Sequence, residues 1–275
     1  MRVGVLNTWL ADRYLPFWEA YLRHLEVEVV RPQLPSIPVS IVEQVIAEAS
    51  SLKVQGVDFL LLPDIQLGVE PTRGSPSPWM VSLEASLRQA IPGLPPAIVV
   101  PAELSEGVAG LAASVGQTLT RNPMTARRAL ERTRSLLTSE YKAPPQPSTH
   151  LVGVVAQPFV LEALALKELA LGLEAQGLHL FRADKSPQEL RLEGDKLQLG
   201  LELPTDLEAA GMHRYLARLG KVRGILYLHD AEVAPLPNPL RKLVSRGGPN
   251  KPWVLAGSSG PWEGVIANLT AQLHV

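Results

Sequence analysis

The sequence predicts an α/β protein of two similar domains, each a mostly parallel sheet flanked by helices in the flavodoxin or Rossmann manner. Three observations carry this. Short apolar runs alternate with helical segments through most of the 275 residues, the rhythm of a parallel sheet covered on both faces. The rhythm breaks at the proline-rich APPQPSTH of 143–150 and then restarts. Each half opens with a Val-Gly-Val strand, at residues 3–5 and 152–154, followed by a long helix.

In order, Val3–Leu6 is an apolar strand ending at Asn7-Thr8-Trp9. Leu15, Trp18, Leu22 and Leu25 recur at helical spacing, and Val27–Val30 is a second strand. Ser40 with Glu43 three residues on has capping-box spacing, so a helix runs over Ile41–Leu52. Val57–Leu62 is a buried strand closed by Pro63-Asp64. The loop GVEPTRGSPSPW precedes a helix at Met80–Ala90, and Ala97–Val100 is a strand. Residues 104–142 read as one or two helices, so the expected boundaries are a first domain at 1–103, a helical connection and hinge at 104–150, and a second domain at 151–275.

In the second half, Leu151–Val155 is a strand, Leu161–Gln176 a helix stopped by Gly177, and Leu178–Phe181 a strand. Gly194-Asp195 reads as the turn of a small hairpin. Helix Leu207–Leu219, strand Gly224–Leu228, short helix Pro239–Arg246, strand Trp253–Ala256 and helix Trp262–Leu273 complete the pattern.

Composition narrows the function classes. Hydrophobic residues make up 46% and charged residues 19%, a globular balance, and the net charge of −1 supplies no electrostatic footprint for nucleic acid or an anionic membrane. No apolar run approaches the roughly 20 residues of a membrane span. MRVGVLNTWL reads as a first strand rather than a signal peptide, which makes a cytoplasmic location the simplest expectation. The 25 prolines and the 18 arginines against 8 lysines suit a thermophile or a GC-rich genome. With no cysteine, disulfides, thiolate metal sites and cysteine nucleophiles are excluded.

Several segments resemble the D-component family of 2-hydroxyglutaryl-CoA dehydratases and their small relatives. VGVLNTWLADRYLPFWEAYLRHLEVEVVRP is similar to the family's opening strand, polar turn and helix, with Pro16-Phe17-Trp18 its most specific part. VDFLLLPD, VGVVAQPFVL, VRGILYLHDAEVAP and KPWVLAGSSG resemble later strands and their loops. Gln157-Pro158-Phe159 stands where the family has histidine-proline-tyrosine. The resemblance implies an iron–sulfur cluster on loop thiolates near Val39, Ser77 and Val233. This chain has no thiol to offer there, so the cluster is expected to be absent and no metal or other cofactor is assigned.

Ligands of open α/β sheets bind beyond the carboxyl ends of the strands. The residues at those ends are Asn7, Thr8 and Trp9; Pro63 and Asp64; Gln157; His229, Asp230 and Glu232; and Gly257, Ser258, Ser259 and Gly260. All of these except Pro63, Glu232 and Gly257, together with Ser77, form the candidate ligand-binding set, expected to line one cleft between the domains. His229-Asp230 has the residue types for acid–base work or zinc, against a bland reading as solvated loop. The remaining histidines (24, 150, 179, 213 and 274) lack ligand spacing. AGSSGPW suits either a small-anion nest or a simple turn and cap. Trp18 has core phase, whereas Trp9 and Trp79 fall in loops where a planar ligand or an interface is as consistent as burial. The basic face of Arg127, Arg128, Arg132 and Arg134 reads as solvated. GxGxxG, the P-loop pattern and GxSxG are all missing, so no catalytic residue is assigned.

Three functions remain open at this level. One is a noncatalytic dehydratase-like accessory subunit or scaffold for a cysteine-bearing partner. Another is a stand-alone binding module for a small anionic or acyl-CoA-like ligand. The third is a metal-assisted hydrolase using His229. Homo-oligomerisation is left open.

Overall fold

The computed structural model describes residues 1–34, 40–66, 77–138, 145–247 and 249–273. The chain divides into two compact units, the first mainly residues 1–140 and the second mainly 141–275. Each holds a four-stranded, all-parallel sheet.

In the first unit β1 (Arg2–Val5), β2 (Glu28–Val30), β3 (Phe59–Asp64) and β4 (Ala97–Pro101) lie in the order β2-β1-β3-β4. In the second, β5 (Leu151–Val155), β6 (His179–Phe181), β7 (Val222–His229) and β8 (Trp253–Gly257) repeat it as β6-β5-β7-β8. Both are segments of the flavodoxin-like order, in which the first strand of each unit is internal. Residues Leu151 to Val155 are all buried, as the near-continuous apolar run of an internal parallel strand requires.

Helix α1 (Ala11–His24) shows why the opening segment folds as it does. Tyr14, Leu15, Phe17, Trp18, Tyr21 and Leu22 share its buried face, and Pro16 is carried inside the helix. Phe17 stacks on Tyr21 with centroids 5.7 Å apart, and Trp18 meets Phe17 edge-on at 5.2 Å. Such aromatic pairs are worth about 0.5–1.5 kcal/mol each beyond the area they bury.

The stretch after β4 forms α5 (Val108–Thr120) and α6 (Pro123–Thr133), and Asn122 caps α6 through its side chain. Both pack with α1 in the first unit's core. The Tyr21 hydroxyl donates to the Ala112 carbonyl at 2.6 Å, and Gly116 leaves the space that this hydroxyl occupies. Of the expected hinge, 143 and 144 lie outside the described residues. Gln146 is tied to the second unit by accepting from the Arg182 N–H (2.7 Å) and donating to the Arg182 carbonyl (3.0 Å).

Three local expectations are corrected. The segment around Gly194-Asp195 is not a hairpin. It is the end of helix α8 (Pro187–Asp195), started by a capping box in which Ser186 and Glu189 bond reciprocally. Helix Leu161–Gln176 shortens to α7 (Leu166–Glu174), because Pro158–Glu162 winds into a 3-10 turn first. The helix at Met80–Ala90 is two pieces, α3 (Pro78–Val81) and α4 (Leu83–Ala90), divided at Ser82, whose hydroxyl caps α4. Among the described residues no helix is long and apolar enough to cross a membrane.

Candidate functional site

In the first unit the strand-end turn is built on a buried carboxylate. Helix α2 (Ile41–Val54) places Glu48 on the same face as Ile41, Val45 and Leu52, and that face is buried. Glu48 Oε2 accepts the Asn7 N–H at 2.8 Å and the Thr8 hydroxyl at 3.0 Å, and Gln44 Nε2 approaches Oε1 at 3.4 Å. Burial pushes the Glu48 carboxyl above the usual carboxylate range, against the hydrogen bonds from Asn7, Thr8 and Gln44 that pull it down. Arg31 bonds the exposed Asn7 side chain at 2.6 Å and is ion-paired with Glu19.

Trp9 and Leu10 follow in the left-handed region, with φ of 62° and 66°. Bulky residues there are strained, at about 1–2 kcal/mol each. The Glu48 clamp on the two preceding residues opposes relaxation of this turn. Trp9 is fully buried, which settles its loop position in favour of packing.

Trp9 and Asp64 line one pocket of about 200 Å³ between the end of β3 and the α3–α4 pair. Asp64 Oδ1 accepts the Gln66 N–H at 2.9 Å, and Gln66 Nε2 donates to the Met80 carbonyl at 2.9 Å. Ser77 is buried, and Trp79 is half-buried in the pocket wall.

In the second unit the corresponding turn uses a side-chain amide. Gln157, which follows β5 and is 4% exposed, donates from Nε2 to Asp206 Oδ1 at 2.7 Å. Asp206 stands in the first turn of α9 (Pro204–Arg218), and burial raises its pKa to about 7 against the lowering effect of the Gln157 bond. The Gln157 Oε1 and the neighbouring Thr205 hydroxyl are buried without a hydrogen-bond partner among the described residues. A carboxyl titrating near neutrality is able to exchange a proton at physiological pH. Glu48, Asp206 and Thr205 are absent from the sequence-derived set. Glu48 carried a signal, since it interrupts the apolar stripe of α2.

The remaining candidates have local duties. Asp230 Oδ1 accepts the N–H groups of Glu232 (3.0 Å) and Val233 (3.1 Å), while the Asp230 and Ala234 backbones bond reciprocally. That makes Asp230 the organiser of its own turn. His229, half-buried at the end of β7, accepts the Ser258 N–H through its carbonyl at 2.9 Å. The Ser258 hydroxyl is buried and without a hydrogen-bond partner among the described residues; Ser259 is exposed, and Gly260 takes φ 80°. Pro63 lies within β3, Glu232 and Gly257 are exposed, and no grouping of three or more His, Asp or Glu side chains suited to a metal occurs among the described residues.

The donor set does not fit an iron–sulfur cluster. Val39 lies outside the described residues, Ser77 presents a hydroxyl that resists deprotonation, and Val233 is an apolar side chain with 0% exposure. In comparisons with known proteins, no family model, curated protein or solved structure matches the chain.

Proposed function

We propose that this protein is a noncatalytic, cluster-free relative of the 2-hydroxyacyl-CoA dehydratase D component, acting as an accessory subunit or scaffold for a cysteine-bearing partner. The carrying observation is Val233. The resemblance assigns a thiolate to that loop, and in its place an apolar side chain is sealed under the turn that Asp230 closes. Burying valine stabilises that turn by about 1.5–3 kcal/mol, so the position serves packing. The absence of cysteine from the whole chain removes any substitute ligand of the same kind.

The test is anaerobic reconstitution with iron and sulfide, followed by iron analysis and visible absorbance, alone and after mixing with a purified cysteine-bearing D-component protein. The expected result is no stoichiometric iron on this chain and a stable heteromeric complex by light scattering. Absorbance equal to one stable cluster per chain, or no complex at tens of micromolar, overturns the reading.

A second reading, a stand-alone module for a small anionic or acyl-CoA-like ligand, draws support from Ser258. Its buried hydroxyl has no protein hydrogen-bond partner among the described residues, and it sits in the Gly257–Gly260 turn ahead of the closing helix Glu263–Leu273. Thermal shift with acyl-CoAs, using Ser258→Ala as the control, separates this reading from the first.

A further inference from the structure

We propose that the first unit carries a binding site for a small organic ammonium ion, in the pocket between the end of β3 and the α3–α4 pair. The site is read from that unit alone and stands whether or not the accessory role holds.

Charge comes first. Among the described residues, Asp64 and Glu84 are the ionisable side chains that line the pocket, and no cationic side chain does. Glu84 is committed to Arg88 one helical turn on, by a 2.8 Å ion pair and a 2.9 Å hydrogen bond. Asp64 accepts a backbone N–H on Oδ1, and a carboxylate has about four acceptor positions, so it retains capacity for a charged donor. An anionic ligand would meet the Asp64 carboxylate; an ammonium meets a complementary charge there.

The walls agree with the charge. Trp79, half-buried in the wall, brings an indole to the pocket, and indole is the side chain that attracts cations most strongly, by about 0.5–2 kcal/mol depending on desolvation. Gln66, next but one to Asp64, is buried and has its Nε2 fixed on the carbonyl of Met80, a wall residue. Its Oε1 accepts nothing among the described residues. That leaves an acceptor on a residue bonded to the pocket wall.

Size and mouth define the rest of the ligand. A volume of about 200 Å³ is below the ~300–1,000 Å³ of drug-sized sites and near the ~150 Å³ cavity that takes benzene. It suits one ring or a short chain beside the ammonium. Val81 and Val99, large apolar side chains exposed at 57% and 43%, both line the pocket and can cover such a body. The Glu48 clamp on Asn7 and Thr8 holds the turn that packs the buried Trp9 against this pocket, so the lining is organised before any ligand arrives.

Three isosteric probes test the proposal by calorimetry on the full chain: 2-phenylethylammonium, 2-phenylethanol and phenylacetate. The ammonium is expected to bind at least ~10-fold tighter than the other two, a difference of ~1.4 kcal/mol. Asp64→Asn, which keeps an acceptor for the Gln66 N–H, should erase that preference. Trp79→Ala should weaken ammonium binding several-fold, with far-UV circular dichroism confirming that both variants are folded. Equal binding of the three probes, no ammonium binding at ~10 mM, or a preference unchanged in Asp64→Asn each overturns the site.

Discussion

Gln157 and Asp206 are joined by a 2.7 Å hydrogen bond that ties the turn after β5 to the first turn of α9. Glu48 makes the equivalent tie in the first unit, from the helix before β3 to the turn after β1. The two units share more than strand order. In each, a carboxyl with a raised pKa, carried by the helix preceding the third strand, reaches the turn that ends the first strand. Such a tie fixes the carboxyl end of the sheet, where ligands of this fold class bind.

Asp206 makes folding of the second unit pH-dependent. Its folded-state pKa of about 7 lies above the ordinary 3.8, so folding takes up a proton between those values. The stability linked to that proton is full below the lower value and is lost as pH rises through the upper one. The N-terminal end of α9 favours the anion by about 0.3–1 kcal/mol and offsets part of this loss. Asp206→Asn keeps an acceptor for Gln157 and removes the titration. We expect the variant to match wild type near pH 4 and to exceed it above pH 7 by about 1–3 kcal/mol. Hydrogen exchange of peptides from α9 across this range reports the second unit by itself. Parallel pH profiles for the two proteins would count against the assignment.

The sheet strands were legible because internal parallel strands are short, continuous apolar runs bounded by turn residues, as VGVV and GILYL are here. The carboxyl-end turns could be located for the same reason. What those turns contact was not legible. The sequence pattern starts this helix at Leu207 and leaves Asp206 outside it, whereas Pro204, suited to a first helical position, begins it. Gly194-Asp195 reads as a turn because glycine marks turns more often than close helix contacts. Neither error was one of period. Each required knowing which backbone lies opposite, and local pattern carries no such information.

Glu48 is expected to dominate the stability of the first strand-end turn. Glu48→Ala leaves the Asn7 N–H and the Thr8 hydroxyl without their acceptor in a buried setting. The cost should be about 2–4 kcal/mol, one to two orphaned buried donors plus lost packing. Glu48→Gln retains an acceptor oxygen and sheds the desolvation that raises the carboxyl's pKa, so it should cost below about 1 kcal/mol. Faster amide exchange over residues 6–12 in the alanine variant, and not in the glutamine variant, is the expected signature. Equal destabilisation by both would show that the negative charge, rather than the acceptor, holds the turn.

Helices α8 and α9 cross through a pair of glycines, and this contact gives the sharpest mutational test of the second unit. A Cβ on Gly211 would collide with the Leu190 carbonyl oxygen and lie 2.6 Å from its carbon. One on Gly194 would collide with the Leu207 carbonyl oxygen and lie 2.9 Å from the carbonyl carbon. Both obstacles are backbone, so no side chain can swing away and the helices themselves must separate. In an ordinary helix, glycine to alanine gains about 0.5–1 kcal/mol from propensity. Here the collision outweighs that gain, and Gly211→Ala should destabilise the second unit by about 3 kcal/mol or more. Gly110 lies in α5 with open space around it, so Gly110→Ala supplies the matched control and should be neutral or stabilising. Urea unfolding of both variants measures the contrast. A Gly211→Ala protein as stable as the Gly110→Ala protein would mean that the two helices are not in backbone contact.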